Sequence, residues 1–177
     1  MKHLLSIFFI SLSIQFFLAQ TQSQSSNVVF DSRHEIKLDA IKLLAVPVIE
    51  LNYEYIKDVN QGLGAILLLN LDKEKFNEKF SLTPYFRFYF NTNQEYGAKG
   101  FFVKAFSSFY SGHDIELFSS DQKENYFDIA LGFGVGQKLI NKSGFVFEYY
   151  IGIGRNLLGN SNETFLGKLG VNLGYRF

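Results

Sequence analysis

From about residue 35 to Phe177 the chain alternates between an apolar and a mixed set of residues, with turn-forming residues between the runs. A period of two sends successive side chains to opposite faces of a strand, so such a chain folds as sheet with two unlike faces. The predicted strands are 35–44, 48–57, 62–70, 80–91, 100–110, 126–139, 145–155 and 164–177. Many are about 9 to 14 residues long, against the ~5 to 6 common in globular sheets. Helical spacing is almost absent, and the fold class is all-β.

One register is apolar along its length. It includes Ile49, Leu51, Tyr53 and Tyr55 in the second strand, Phe80, Leu82, Pro84, Phe86 and Phe88 in the fourth, and Phe127, Ile129, Leu131, Phe133 and Val135 in the sixth. The opposite register carries Glu50, Glu54, Arg87, Lys104, Asp128, Glu148, Lys168 and Arg176, with Gly132, Gly134, Gly152, Gly170 and Gly174. A soluble lipocalin-like barrel places the apolar set inside, whereas a membrane barrel places it outside. Volume decides between them. The interior of an eight-stranded barrel is only just wide enough for side chains to fill. A register dominated by Phe, Tyr, Leu and Ile would overfill it, while the glycine-rich register fits. The expectation is an eight-stranded antiparallel up-and-down transmembrane β-barrel, apolar side outward, over residues 35–177. The inward charges are then expected to pair across the bore and plug it.

Composition narrows the chemistry. Lys plus Arg and Asp plus Glu both total 17, so the basic excess of a nucleic-acid binder is missing. With no cysteine there is no disulfide framework, thiolate metal site or lipidated cysteine. Residues 1–19 read as a secretory signal, with Lys2 and His3 before a serine-interrupted apolar run, and 20–34 as a flexible leader. The serines and the short run argue against a membrane-spanning helix there. With both termini on the periplasmic side, the long stretch 111–125 falls on the outer side, and the short turns 57–61 and 140–144 on the inner. Two connections fit this scheme poorly: Ala45-Val46-Pro47 is short for an outer loop, and Asn91 to Ala98 is long for a periplasmic turn. Lys42 interrupts the apolar register of the first strand, which suggests a bulge near Ala40.

The final strand reaches its C-terminal Phe177 through Leu173 and Tyr175 at alternate positions. This resembles the C-terminal signal read by the barrel-assembly machinery of outer membranes. The chain from residue 35 onward resembles the small barrels grouped with the OmpA membrane domain and OmpX. Its stretches KLDAIKLL (37–44) and IELNYEYIK (49–57) are similar to uncharacterised Bacteroidota barrels. The resemblance implies a bacterial outer-membrane location after signal cleavage. It also implies outer-membrane lipids, including lipopolysaccharide, and the assembly machinery as partners. A monomer without cofactor is expected.

Some small barrels are lipid A acyltransferases or deacylases, and the resemblance directs attention to Ser111, His113 and Asp114 at the start of the longest outer loop. A histidine that activates a serine and is oriented by a carboxylate is sound acyl-transfer chemistry. These residue types are also ordinary in exposed loops, and their spacing matches no known family. A non-enzymatic barrel is therefore the leading expectation, with a structural, adhesive or loop-mediated binding role. A lipid-modifying enzyme, a small pore and a soluble lipocalin-like binder are the alternatives. The acidic residues Asp114, Glu116, Asp121 and Glu124 follow no calcium-loop spacing, and no metal is expected. Gly132, Gly134 and Gly136 mimic a phosphate loop, but alternate within a strand with no helix after them; they read as interior spacers.

Overall fold

A computed structural model describes residues 32–72, 78–90, 96–113, 125–161 and 163–177. The strands are β1 (His34–Asp39), β2 (Val48–Asp58), β3 (Gln61–Asn70), β4 (Glu78–Tyr89), β5 (Gly100–His113), β6 (Asn125–Ile140), β7 (Phe145–Asn156) and β8 (Phe165–Arg176), with one short helix, α1 (Ala40–Ala45). Each strand pairs antiparallel with its sequence neighbours, and β8 closes back on β1, giving an eight-stranded up-and-down barrel. Closure is continued by the chain ends, where His34 and Phe177 exchange backbone hydrogen bonds of 3.1 and 2.8 Å. The predicted signal segment, and the leader up to residue 31, lie outside the described residues.

Burial follows the two registers. Phe133 and Ile151 are 73% and 65% exposed, while Glu54, Arg87 and Glu148 on the opposite face are fully buried. Charged side chains fill the interior and aromatic and aliphatic ones coat the outside. The aromatic side chains Tyr85, Tyr89, Phe102, Phe106 and Tyr150 share the interior as one cluster. Their volume is accommodated by glycines. A Cβ added at Gly136 would lie 2.5 Å from Phe102 Cζ and 2.5 Å from the Tyr149 carbonyl oxygen, so glycine alone leaves room for the ring.

The first strand departs from expectation. It ends at Asp39, and residues 40–45 form α1 in place of the expected strand and bulge. Continued as strand, β1 would carry the Lys42 ammonium on the outward face, with Ile36 and Leu38. Instead Asp39 caps the helix, its Oδ1 accepting from the Lys42 N–H at 2.9 Å. The turn of helix brings the Lys42 ammonium back over the bore, while Leu44 is left 87% exposed.

The long turn between β4 and β5 is also explained. Residues 91–95 lie outside the described residues, but Ala98 is fully buried in the barrel mouth. Its N–H donates to the Val59 carbonyl at 2.6 Å, and Arg176 donates to the Gly97 and Ala98 carbonyls at 2.7 and 3.2 Å. Gly97 and Ala98 are thereby held over the end of the bore that carries the chain termini. Around that end the outer wall is aromatic: Phe90 lies 5.2 Å from Phe88 and 5.8 Å from Phe101, and His34 stacks on Phe177.

Gly136→Ala is expected to destabilise the barrel by about 1 to 3 kcal/mol, because the methyl group has to displace both backbone and the Phe102 ring. Gly167→Ala, at an outward site where a Cβ meets nothing within 4 Å, is expected to change little. Denaturant unfolding of both variants in detergent micelles measures the difference.

Candidate functional site

The interior of the termini-side half is a continuous ion-pair network. Glu54 is its centre: one carboxylate oxygen accepts from Lys37 at 2.6 Å, Arg87 at 2.8 Å and Lys138 at 2.9 Å, and the other accepts from the Tyr89 hydroxyl. Glu148 receives Arg87 in bidentate fashion at 2.5 and 2.8 Å, Lys37 at 3.0 Å and the Asn172 amide at 3.1 Å. Glu35 accepts from Lys37 at 2.9 Å, Lys138 at 2.7 Å and Arg176 at 2.5 and 2.8 Å. Lys37 thereby bridges all three carboxylates. The rings complete the enclosure, with the Arg87 guanidinium 4.3 Å from the centroids of both Tyr85 and Phe102.

The opposite half of the bore holds smaller groups. Lys42 donates to Glu50 at 2.6 Å, to Asp39 at 3.2 Å and to the Leu169 carbonyl at 2.8 Å. Burial alone would lower the pKa of this helix lysine; the carboxylates of Glu50 and Asp39 outweigh it and hold it above the ordinary value. Lys168 pairs with Glu78 at 2.7 Å. Lys104 has no carboxylate partner among the described residues; its ammonium rests 3.3 Å from the Tyr150 ring centroid, and the Tyr150 hydroxyl donates to Glu50 at 3.0 Å.

Of the inward charges read from the sequence, Glu54, Arg87, Glu148 and Arg176 lie in the main network, and Glu50 and Lys168 in the two smaller groups. Asp128 faces the interior, but its partners are not cations. Its carboxylate accepts the N–H groups of Ile129, Leu158, Asn160 and Ser161 and the Ser161 hydroxyl, at 2.7 to 3.2 Å. It ties the β7–β8 connection across the mouth opposite the termini. Glu35, Lys37, Glu78 and Lys138 were missing from the sequence-derived set. Parity was the available signal, since Glu35 and Lys37 alternate with Ile36 and Leu38, and Lys138 continues the register of Gly132, Gly134 and Gly136.

The Ser111, His113 and Asp114 group lies only partly within the described residues. Ser111 lies on the outward register of β5, in pairing register with Phe80 and Phe127. His113 ends β5, while Asp114 and the acidic loop residues through Glu124 lie outside the described residues. Leu173 and Tyr175 are outward on β8, and Phe177 follows it.

No family model matches the chain, and no curated protein is detectably related in sequence. A solved structure does match. The fold is similar to that of the N-terminal β-barrel domain of Pseudomonas aeruginosa OprF. The TM-score is 0.58 at 14% identity, with 82% of this chain and 96% of that one covered. At that identity the likeness is one of fold, the closed antiparallel barrel formed by β1 to β8.

Removing one member of the network tests its energetics. Glu148→Gln retains the shape but leaves Arg87 and Lys37 with less compensating charge, and breaking a buried pair in this way costs about 3 to 5 kcal/mol. The lower figure is expected, because both cations keep Glu54. The check is the urea-unfolding midpoint in micelles; an unchanged midpoint would mean that Glu148 is hydrated in solution rather than paired.

Proposed function

We propose that this chain is an integral outer-membrane barrel with a closed, polar-plugged interior, serving the envelope structurally or presenting its loops to ligands or surfaces. The observation that carries this reading is the inverted polarity of the fold. Its ion pairs are buried in the bore, and its large apolar residues cover the outside. In water that arrangement exposes a continuous hydrophobic wall, whereas in a bilayer it satisfies both faces. A closed sheet also leaves no edge strand unpaired in hydrocarbon. The similarity to the OprF barrel supports the same architecture.

In this reading residues 1–19 are removed on export, and the barrel inserts as a monomer among outer-membrane lipids, including lipopolysaccharide. The assembly machinery reads Leu173, Tyr175 and Phe177. The connections opposite the termini face the exterior, which makes them the surface available for recognition. Tyr89, Arg87, Glu54 and the buried Ala98 turn occupy the route an ion would take, so the barrel acts as a wall element and not as a pore.

Four measurements test this reading. The protein is expected to fold only in detergent or lipid, and Ile151→Arg, midway along β7, is expected to cost about 2 to 4 kcal/mol in bilayers. A folded β-rich monomer in detergent-free buffer would defeat the membrane reading. In planar bilayers the pure protein is expected to show no sustained conductance, and steady ohmic channels would replace the plug with a pore. Deleting Phe177 is expected to reduce outer-membrane insertion in cells more than refolding in vitro; equal insertion of both chains would remove the terminal residue from the assembly signal.

A further inference from the structure

Arg155 is the single charged residue among the outward positions of β7 and β8. It stands one residue before the end of β7, in register with Leu131 on β6 and Phe165 on β8, which are 53% and 58% exposed. Its side chain is exposed and makes no hydrogen bond or ion pair with any described residue. The other cations of the strands are mostly turned inward to carboxylates. This one faces out from an apolar wall.

Beside it the wall is indented. Gly167 pairs with Ile153, immediately below the Arg155–Phe165 pair, and a Cβ there would meet nothing within 4 Å. Ile153 and Leu169, the neighbouring outward side chains, are both 59% exposed and border the gap. Unlike the inward glycines, whose added Cβ would meet a ring, a backbone atom or a charged side chain, Gly167 makes no room for any other part of the protein. Further along, β1 has already ended, its last pair with β8 being Asp39 with Asn172, so α1 rather than a strand accompanies this stretch.

We propose that this part of the wall binds one phosphate-bearing membrane lipid, its phosphate on the Arg155 guanidinium and an acyl chain in the gap over Gly167. The proposal rests on the membrane reading above and adds a defined site to it. A guanidinium is suited to this task because its planar donors match two phosphate oxygens at once. Near the end of β7 the aliphatic stem can lie on the apolar wall while the charged head reaches the headgroup level. Charge complementarity selects the occupant: a neutral acyl lipid fills the gap but leaves the guanidinium unpaired.

The test uses full-length mature protein folded in neutral detergent and titrated with phosphatidylglycerol, followed by native mass spectrometry. Diacylglycerol of the same chains and inorganic phosphate form the other arms. Wild-type protein is expected to retain one phosphatidylglycerol, bound about tenfold or more tightly than diacylglycerol, as for one charge-assisted contact. Arg155→Gln is expected to abolish that preference, Arg155→Lys to restore part of it, and Gly167→Leu to weaken lipid binding with the charge intact. Inorganic phosphate is expected neither to bind nor to displace the lipid. Equal binding by wild type and Arg155→Gln, no preference over diacylglycerol, or displacement by inorganic phosphate would each overturn the site. Heat-modifiable gel migration verifies that each variant is a folded barrel. Folding without detergent would instead strike the membrane reading, so the two failures are distinguishable.

Discussion

A carboxylate shut inside a barrel survives as an anion only if cations replace the water it has lost. That requirement organises this protein. Glu35, Glu54 and Glu148 come from three strands, β1, β2 and β7, and each is met by at least two of Lys37, Arg87, Lys138 and Arg176. Such a set forms only when the sheet has closed with the correct register, since a slip of one residue would turn every member outward. Most apolar residues face the other way, and hydrophobic burial in the bore falls to the ring cluster and a few aliphatic side chains. The network thus ties pairing to register, and the inward glycines and rings are arranged around it.

The seam between β1 and β8 shows the same economy of charged groups. β8 continues past Asn172 toward Phe165, whereas β1 stops at Asp39, which would leave a stretch of β8 without a partner strand. In the membrane reading that stretch would face hydrocarbon, where unpaired backbone is not tolerated. Two side chains take over part of that work: Asp39 Oδ2 accepts the Val171 N–H at 3.3 Å, and the Lys42 ammonium donates to the Leu169 carbonyl at 2.8 Å. One acid and one base therefore cap α1, bind each other and extend the seam. The interruption that Lys42 introduces into the sequence pattern is the device by which a short first strand is made sufficient.

The architecture was legible because period two needs no tertiary knowledge: the parity of Phe86 against Arg87, or Ile151 against Gly152, already states which faces differ. Volume then determined which face turned inward. The short first strand was less legible, since the capping bond from Asp39 competes locally with strand continuation and Lys42 can be read either as a bulge or as a turn. The network membership of Lys138 and Glu35 was written in parity but invisible as pairing, because Lys138 meets Glu35 across 103 residues of sequence. Asp128 illustrates the opposite limit. Its parity is inward, yet its partners are backbone groups of a loop that no pattern in the sequence brings back over the mouth. Arg155 was equally hidden, as a charge near the end of a strand looks like the start of a turn until β8 is seen to begin beside it.

Charge along the bore is uneven. At the termini side Lys37, Arg87, Lys138 and Arg176 outnumber Glu35, Glu54 and Glu148, and at the other end Asp39, Glu50, Glu78 and Asp128 outnumber Lys42 and Lys168. Lys104 stands between the two, held by the face of Tyr150, whose hydroxyl is committed to Glu50. In a medium of low dielectric such imbalances are felt over the length of the barrel, so the cationic surplus at one end offsets the anionic surplus at the other. Tyr150 serves this coupling in two ways, presenting its negative face to the unpaired ammonium and its hydroxyl to the nearest carboxylate. Counted with Lys104 as a cation, these charges sum to zero along a single column. In such a column the effect of losing any member depends on which others remain.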